Sequence, residues 1–401
     1  MSGRASHRAL LLAGGLSFAA PASAIEWSFQ PAAELLQTYT NNAQRTATGS
    51  ESDYITEVRA SLPLEARGRA SRFEFGYWPT YEYFWDDDSL NALSHLARCG
   101  WSREGARVHA VTAFTYQHSE DPRLTGTRPG EAPAPGAPAE TPFLLERTQM
   151  TLADLTALLG FKVGRSTTIE TSATATEQRY ADPVLVDSNE LEGTVGFTHE
   201  VSPAQHWDAR LRASRFSSDE VGTQSFGIAE GGGEFELRRG LQLTTRLGWI
   251  VAASGGVLDE LSAGNQILGE LLLAGESRSV RWSAGVNRDV TTGGGLRLAL
   301  LTGEATADLD VTLGEHDTLG VSASRSHSRQ PVESGTTLDL TSDQFNLRVR
   351  HSFSASWSAS FEAAHLQQES DDAVAGGTFQ DDRVSIGVRW AGNSGPKGVS
   401  R

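Results

Sequence analysis

From Arg72 to Trp85 the chain alternates between two chemistries. Phe73, Phe75, Tyr77, Tyr81, Tyr83 and Trp85 share one parity, while Arg72, Glu74, Thr80 and Glu82 take the other. A period of two belongs to an extended strand, whose successive side chains leave opposite faces. The same division recurs along the chain. Tyr54, Val58, Ala60, Leu62 and Leu64 oppose Glu57, Arg59, Ser61 and Glu65, and Val108, Ala110, Phe114 and Tyr116 oppose Arg107, His109, Thr115 and Gln117. Near the end, Phe345, Leu347, Val349 and Phe353 oppose Gln344, Asn346, Arg348 and Arg350, and Val384, Ile386, Val388 and Trp390 oppose Arg383, Ser385, Gly387 and Arg389. Each strand therefore needs an apolar medium on one side and a wet one on the other.

Short and long links alternate between these strands. Tight links fall near Gly68, Arg103-Glu104, Gly160 to Gly164, Ser202-Pro203, Arg239-Gly240, Glu276-Ser277, Gly314-Glu315 and Ser354-Ala355. Longer polar stretches cover 40–52, 86–89, 119–141, 180–187, 218–223, 254–263, 289–295, 329–337 and 370–380. Eight short and nine long links join eighteen strands, within a range of sixteen to eighteen. That leaves about 21 residues per strand and link, enough for a tilted membrane strand of about ten residues plus its share of an asymmetric loop pair.

The pattern predicts an all-β fold, a transmembrane antiparallel β-barrel. In hydrocarbon every backbone amide must be paired within the protein, so only helices and closed barrels cross. No apolar run approaches the 18 or so residues a membrane helix needs. An even strand count puts both termini at the end with the short turns, which is expected to face the periplasm, with the long acidic loops outward. Trp85, Trp101, Tyr116, Trp207, Trp249 and Trp357 suit interfacial girdles. A secreted β-sandwich or β-solenoid would also alternate, but would not normally sustain this rhythm of links over nine hairpins.

Composition closes other routes. The chain has 401 residues, a formal charge of −16 and one cysteine. The acidic balance gives no footprint for nucleic acid, and a single cysteine makes neither an internal disulfide nor a thiolate metal cluster. Residues 1–24 read as a signal peptide, with Arg4, His7 and Arg8, an apolar stretch from Ala9 to Ala20, and cleavage expected between Ala24 and Ile25. The barrel is expected over 25–391, with a C-terminal periplasmic tail at 392–401. The Pro-rich outer loop at 119–143 is too poor in apolar side chains to form a strand; it is read either as a constriction over the mouth or as a surface tether.

No catalytic motif is present: there is no G-x-S-x-G elbow and no P-loop, and His199-Glu200 does not continue into H-E-x-x-H. No enzyme activity, cofactor or metal site is expected. A Ser–His pair meeting across strands, as in an outer-membrane hydrolase, is the outlying alternative. Cys99 is read as a packing or lipid-facing residue. The aspartates Asp86 to Asp88, Asp182, Asp187, Asp371, Asp372, Asp381 and Asp382 are read as a solvated acidic rim, with divalent ions beside lipopolysaccharide as the other option.

The entry segment Glu34-Leu-Leu-Gln-Thr-Tyr-Thr-Asn-Asn42, the strand ending near Leu64 and the aromatic strand Phe73 to Trp85 resemble the outer-membrane β-barrel porin family associated with exopolysaccharide loci. The likeness is one of pattern, and only Tyr39 to Asn42 approaches a motif. It implies an exit pore for a secreted exopolysaccharide that works with a periplasmic polysaccharide-export protein. A general diffusion porin for small solutes is the alternative. Outer-membrane lipid and lipopolysaccharide are the expected surroundings, and nucleic acid is not an expected partner.

The remaining functional carrier is the polar face, which in an eighteen-stranded closure lines water. Parity places Arg59, Arg72, Arg107, Arg210, Arg212, Arg246, Arg281, Arg348, Arg350, Arg383 and Arg389 inside, with Glu57, Glu65, Glu74, Glu82, Asp208, Glu234, Glu236, Glu270, Glu304, Asp308 and Asp310. The expectation is a mixed lumen with an arginine-rich arc that either binds and hands along carboxylate-bearing sugars or pairs with the acids in cross-strand ladders.

Overall fold

The computed structural model describes residues 25–44, 50–119, 148–182, 185–218, 222–254, 267–292, 299–331, 337–370 and 377–392. Residues 1–24 with the expected cleavage site, most of the Pro-rich stretch and the tail beyond Gly392 lie outside these residues.

The chain begins with β1 (Glu26–Phe29), β2 (Ala32–Thr40), β3 (Asp53–Ser61), β4 (Leu64–Arg67), β5 (Ser71–Phe84), β6 (Ala92–Glu104) and β7 (Val108–Ser119). It continues through β8 (Met150–Lys162), β9 (Thr167–Tyr180), β10 (Ser188–Ser202), β11 (Gln205–Ser218), β12 (Gly222–Arg238), β13 (Leu241–Ser254) and β14 (Ile267–Glu276). β15 (Val280–Thr292), β16 (Ala299–Leu313), β17 (Asp317–Pro331), β18 (Thr337–Ser352), β19 (Trp357–Ser370) and β20 (Gly377–Ala391) complete it. All pairings are antiparallel, and β2 pairs with β20, so the sheet closes on itself.

The twenty segments make eighteen wall strands because proline breaks two of them. β1 and β2 are separated at Gln30-Pro31, β3 and β4 at Leu62-Pro63. A proline has no N–H to give to a ladder and is tolerated only at such interruptions. β5 spans the second break, pairing with β3 as far as Arg59↔Thr80 and resuming with β4 at Leu64↔Phe75. Between them the Leu62 N–H reaches the Tyr77 carbonyl at 3.0 Å. Pro79 sits one position beyond the end of the first ladder, where its missing donor costs nothing.

Each tight link expected from the sequence joins consecutive strands at one end, and each longer link joins them at the other. Two of the turns use glycine at positive φ, Gly240 at 74° and Gly314 at 79°, which an L side chain adopts only with strain. Both ends of the described chain lie at the end with the tight turns. The outward face is apolar and open: Leu35, Val58, Leu155, Val195, Leu211, Leu247, Leu271, Val286 and Ile386 are all exposed. An exposed apolar girdle of this extent, on a sheet closed by the β2–β20 ladder, is the architecture of a transmembrane barrel. Among the described residues no helix is long and apolar enough to cross a membrane, which says nothing against crossing with strands.

The seam between the first and last wall strands carries side-chain ties in addition to the ladder. The Thr40 hydroxyl donates to Asp381 at 2.7 Å, the Asn41 amide to Asp382 at 2.7 Å, and the Asn42 amide to the Gln380 carbonyl at 3.0 Å. Thr38 and Ser385 share a hydrogen bond at 2.8 Å. Asp381 and Asp382 thus stand within β20, binding the seam, and are not part of a loop-tip rim.

Candidate functional site

The inward face is the candidate site, and the register fixes which residues share it, because directly paired residues point to the same side. Arg59 on β3 stands between Glu57, at 2.5 Å, and Glu34 on neighbouring β2, at 3.8 Å. At the turn end Arg72 contacts Glu65 at 2.6 Å and Glu74 at 2.5 Å. Arg210 pairs with Glu230 across β11 and β12 at 2.9 Å, Arg348 with Glu362 across β18 and β19 at 2.9 Å, and Arg383 with Asp381 along β20 at 2.9 Å. Arg246 on β13 bridges Glu270 on β14 at 2.7 Å and Asp208 on β11 at 3.3 Å. Arg350 lies within the field of Arg348 and Arg389, with Glu34 and Glu362 as the opposing charges. Glu82 is buried on the inward face of β5.

One arginine of the expected set stands elsewhere. Arg107 is in the β6–β7 turn, because the Gly105 N–H closes onto the Val108 carbonyl at 2.8 Å and β7 begins only at Val108. Parity counted through a tight turn placed it on the wall. Arg281 keeps the inward parity, paired with Asp310, but stands exposed at the turn end of β15, where it meets Glu276 at 3.3 Å.

The arginines form no continuous arc. Most of them have a carboxylate partner on the same or an adjacent strand, and carboxylates without an arginine opposite line other parts of the wall. Asp154 on β8 accepts from Thr156 at 3.4 Å and Thr176 at 3.0 Å instead, and Asp308 on β16 accepts from Ser283 at 3.2 Å. Among the described residues the register puts more carboxylates than bases on the inward face, so that face carries a negative field with positive spots set into it. Among the described residues no group of three His, Cys, Asp or Glu could hold a metal ion.

Some inward positions are apolar against the general pattern. Trp78 and Phe84 on β5 take the parity of Glu74 and Glu82 and are 6% and 1% exposed. The Trp78 ring lies over Gly76, where a Cβ would collide with it. On β11, β12 and β14 the inward Phe216, Phe226, Ile228 and Leu268 belong to a buried apolar cluster near the loop end, with the Phe216 and Phe226 ring centroids 5.5 Å apart. These residues escaped the sequence reading, which treated that face as wet throughout. The isolated large apolar residues at inward parity were the available signal.

Outside the wall, Asp87 begins a single 3-10 turn, Asp88–Leu90, at the loop end. The Ser89 hydroxyl and backbone N–H both donate to its carboxylate, and these bonds hold its pKa below the ordinary value. At the turn end a cavity of about 210 Å³ is lined by Pro203, His206, Glu234, Glu236 and Gln242, among others.

The chain matches no protein-family model and no curated protein. Its wall is similar to those of solved bacterial barrels. OpdK of Pseudomonas aeruginosa, solved with vanillate, is 9% identical with a TM-score of 0.47, covering 91% of this chain and 99% of that one. OccAB4 of Acinetobacter baumannii is 8% identical with a TM-score of 0.45, covering 92% and 99%. The outer membrane channel DcaP of Acinetobacter baumannii is 9% identical with a TM-score of 0.43, covering 93% and 99%.

Proposed function

We propose that this protein is a passive outer-membrane channel for small hydrophilic solutes, with the tight turns in the periplasm and the longer loops outside. The observation that carries this reading is the inward face. A barrel with a solid core would bury its inward side chains, whereas here Arg210, Arg348 and Glu74 keep 33%, 36% and 40% of their side-chain surface accessible. Small polar residues supplement them, including Ser322 and Ser324 on β17 and the exposed Asn346 on β18. Water-accessible charges inside an apolar wall make a path along which polar solutes keep their hydration shells.

The exit-pore reading, with an exopolysaccharide as cargo and a periplasmic export protein as partner, rests on the sequence resemblance. Small solutes suit the structure better, since part of the lumen is filled with side chains. The test is swelling of proteoliposomes in a series of neutral sugars. Permeation of mono- and disaccharides with a steep fall at larger size supports the diffusion channel. Impermeable vesicles, together with loss of surface polysaccharide in a deletion strain that keeps normal lipopolysaccharide, would replace it with the exit pore.

A further inference from the structure

We infer that the Arg212–Asp289 ion pair folds β11–β15 into a side-chain-filled lobe and so sets the size limit of the channel; this rests on the channel reading above. Arg212 is on β11 and Asp289 on β15, yet the guanidinium meets the carboxylate with both nitrogens, Nη1 at 2.9 Å and Nη2 closer still. Three hydrogen-bonded strands, β12, β13 and β14, lie between them. In a round wall of eighteen tilted strands, positions four strands apart would be separated by roughly 20 Å across the chord. An arginine and an aspartate reaching toward each other cover only about half of that span. Contact therefore requires the sheet to curl sharply inward over these five strands.

Two further features agree with a tight curl. The concave side of a strongly curved sheet has little room for Cβ atoms, and inward positions on three of the five strands are glycine. A Cβ on Gly232 of β12 would collide with the backbone of Thr245 and Arg246, one on Gly248 of β13 would come within 2.9 Å of Glu230 Cγ, and one on Gly285 of β15 within 3.0 Å of Leu272. The enclosed space is also filled. Phe216, Phe226, Ile228 and Leu268 pack toward the loop end, while nearer the turn end Arg246 joins Asp208 and Glu270. Arg212 additionally faces Glu230 at 3.6 Å and Glu192 at 3.9 Å, so one guanidinium neutralises several carboxylates that would otherwise drive the lobe open. Solutes are left the part of the lumen bounded by the other strands.

The test is a cysteine pair, Arg212→Cys with Asp289→Cys, on a Cys99→Ser background, refolded into planar bilayers and measured with and without a short bismaleimide. The lobe predicts efficient cross-linking, wild-type conductance once cross-linked, and about a twofold higher conductance with a larger sugar cut-off when not. The double variant Arg212→Ala/Asp289→Ala should match the uncross-linked state while retaining the folded band on an unheated gel. Failure to cross-link would overturn the lobe, and equal conductance in the two states would overturn its role in setting pore size. A protein that cross-links but conducts in neither state would leave the lobe standing and remove the channel reading instead.

Discussion

Asp53, the first residue of β3, holds the start of the next loop in place by accepting the backbone N–H of Trp85 at 3.1 Å. The same carboxylate takes the N–H groups of Asp86 at 3.1 Å and Asp87 at 3.4 Å. Three consecutive amides converging on one buried acid make a clasp between two loop-end segments 32 residues or more apart in the chain. Asp53→Ala is expected to remove about 2 kcal/mol of local stability. Limited proteolysis should then cut within 85–91 while the barrel remains intact; an unchanged cleavage pattern would argue against the clasp.

Acid should loosen the neighbouring turn. The Asp87 carboxyl is held below its usual pKa by the Ser89 hydroxyl and N–H, so its folded value lies under its unfolded one. A depressed carboxyl contributes stability that is fully present above the unfolded value and is lost as pH falls through the folded one. Amide exchange at Ser89 should therefore accelerate only in the acid range, below ordinary carboxylate titration, and Ser89→Ala should move that acceleration to higher pH.

The seam offers a global test. Asp381 is 1% exposed and accepts from both Thr40 and Arg383. Asp381→Ala leaves the half-buried Arg383 guanidinium without its carboxylate and should cost about 2 kcal/mol, against about 1 kcal/mol for Thr40→Val. Both are read from the temperature at which the folded band disappears on gels, and equal effects would contradict the ranking.

Lumen charge can be read from reversal potentials in a salt gradient. With carboxylates in excess on the inward face, the wild type should favour cations. Arg348→Glu with Arg350→Glu should raise the cation-to-anion permeability ratio about two- to threefold. An unchanged ratio would show that the current does not pass these residues.

Cys99 reports which face is outside. It pairs with Phe75 and Phe114 on the apolar side of β6. In liposomes a charged maleimide should leave it unmodified, and unfolding in denaturant should expose it to full labelling. Rapid modification of the folded protein would reverse the face assignment.

Most of the wall was legible because alternation is local: strand period, turn chemistry and link length are each read within a dozen residues. Tyr81 outward and Glu82 inward needed no knowledge of any partner strand. The breaks at Pro31 and Pro63 belong to the same local grammar, yet alternation continues across them and hid them. What stayed hidden depends on distance between strands. The Gly231-Gly232-Gly233 run is visible in the sequence, but that its middle member marks a crowded concave wall follows only from register with β13. Arg212 likewise resembles any other inward arginine until β15 is seen to lie beside it.

The order of the strands has a consequence for how the molecule comes into being. Nearly every ladder joins segments that follow each other in the chain, so hairpins can form and add one by one as local events. The closing ladder is the exception: Thr38 must find Ser385, 347 residues away. Until it does, two strand edges with unpaired amides remain, a state that hydrocarbon does not tolerate. The slowest step of assembly should accordingly be the last, and a chain stopped before β20 should remain with the insertion machinery or be degraded instead of persisting as a smaller pore.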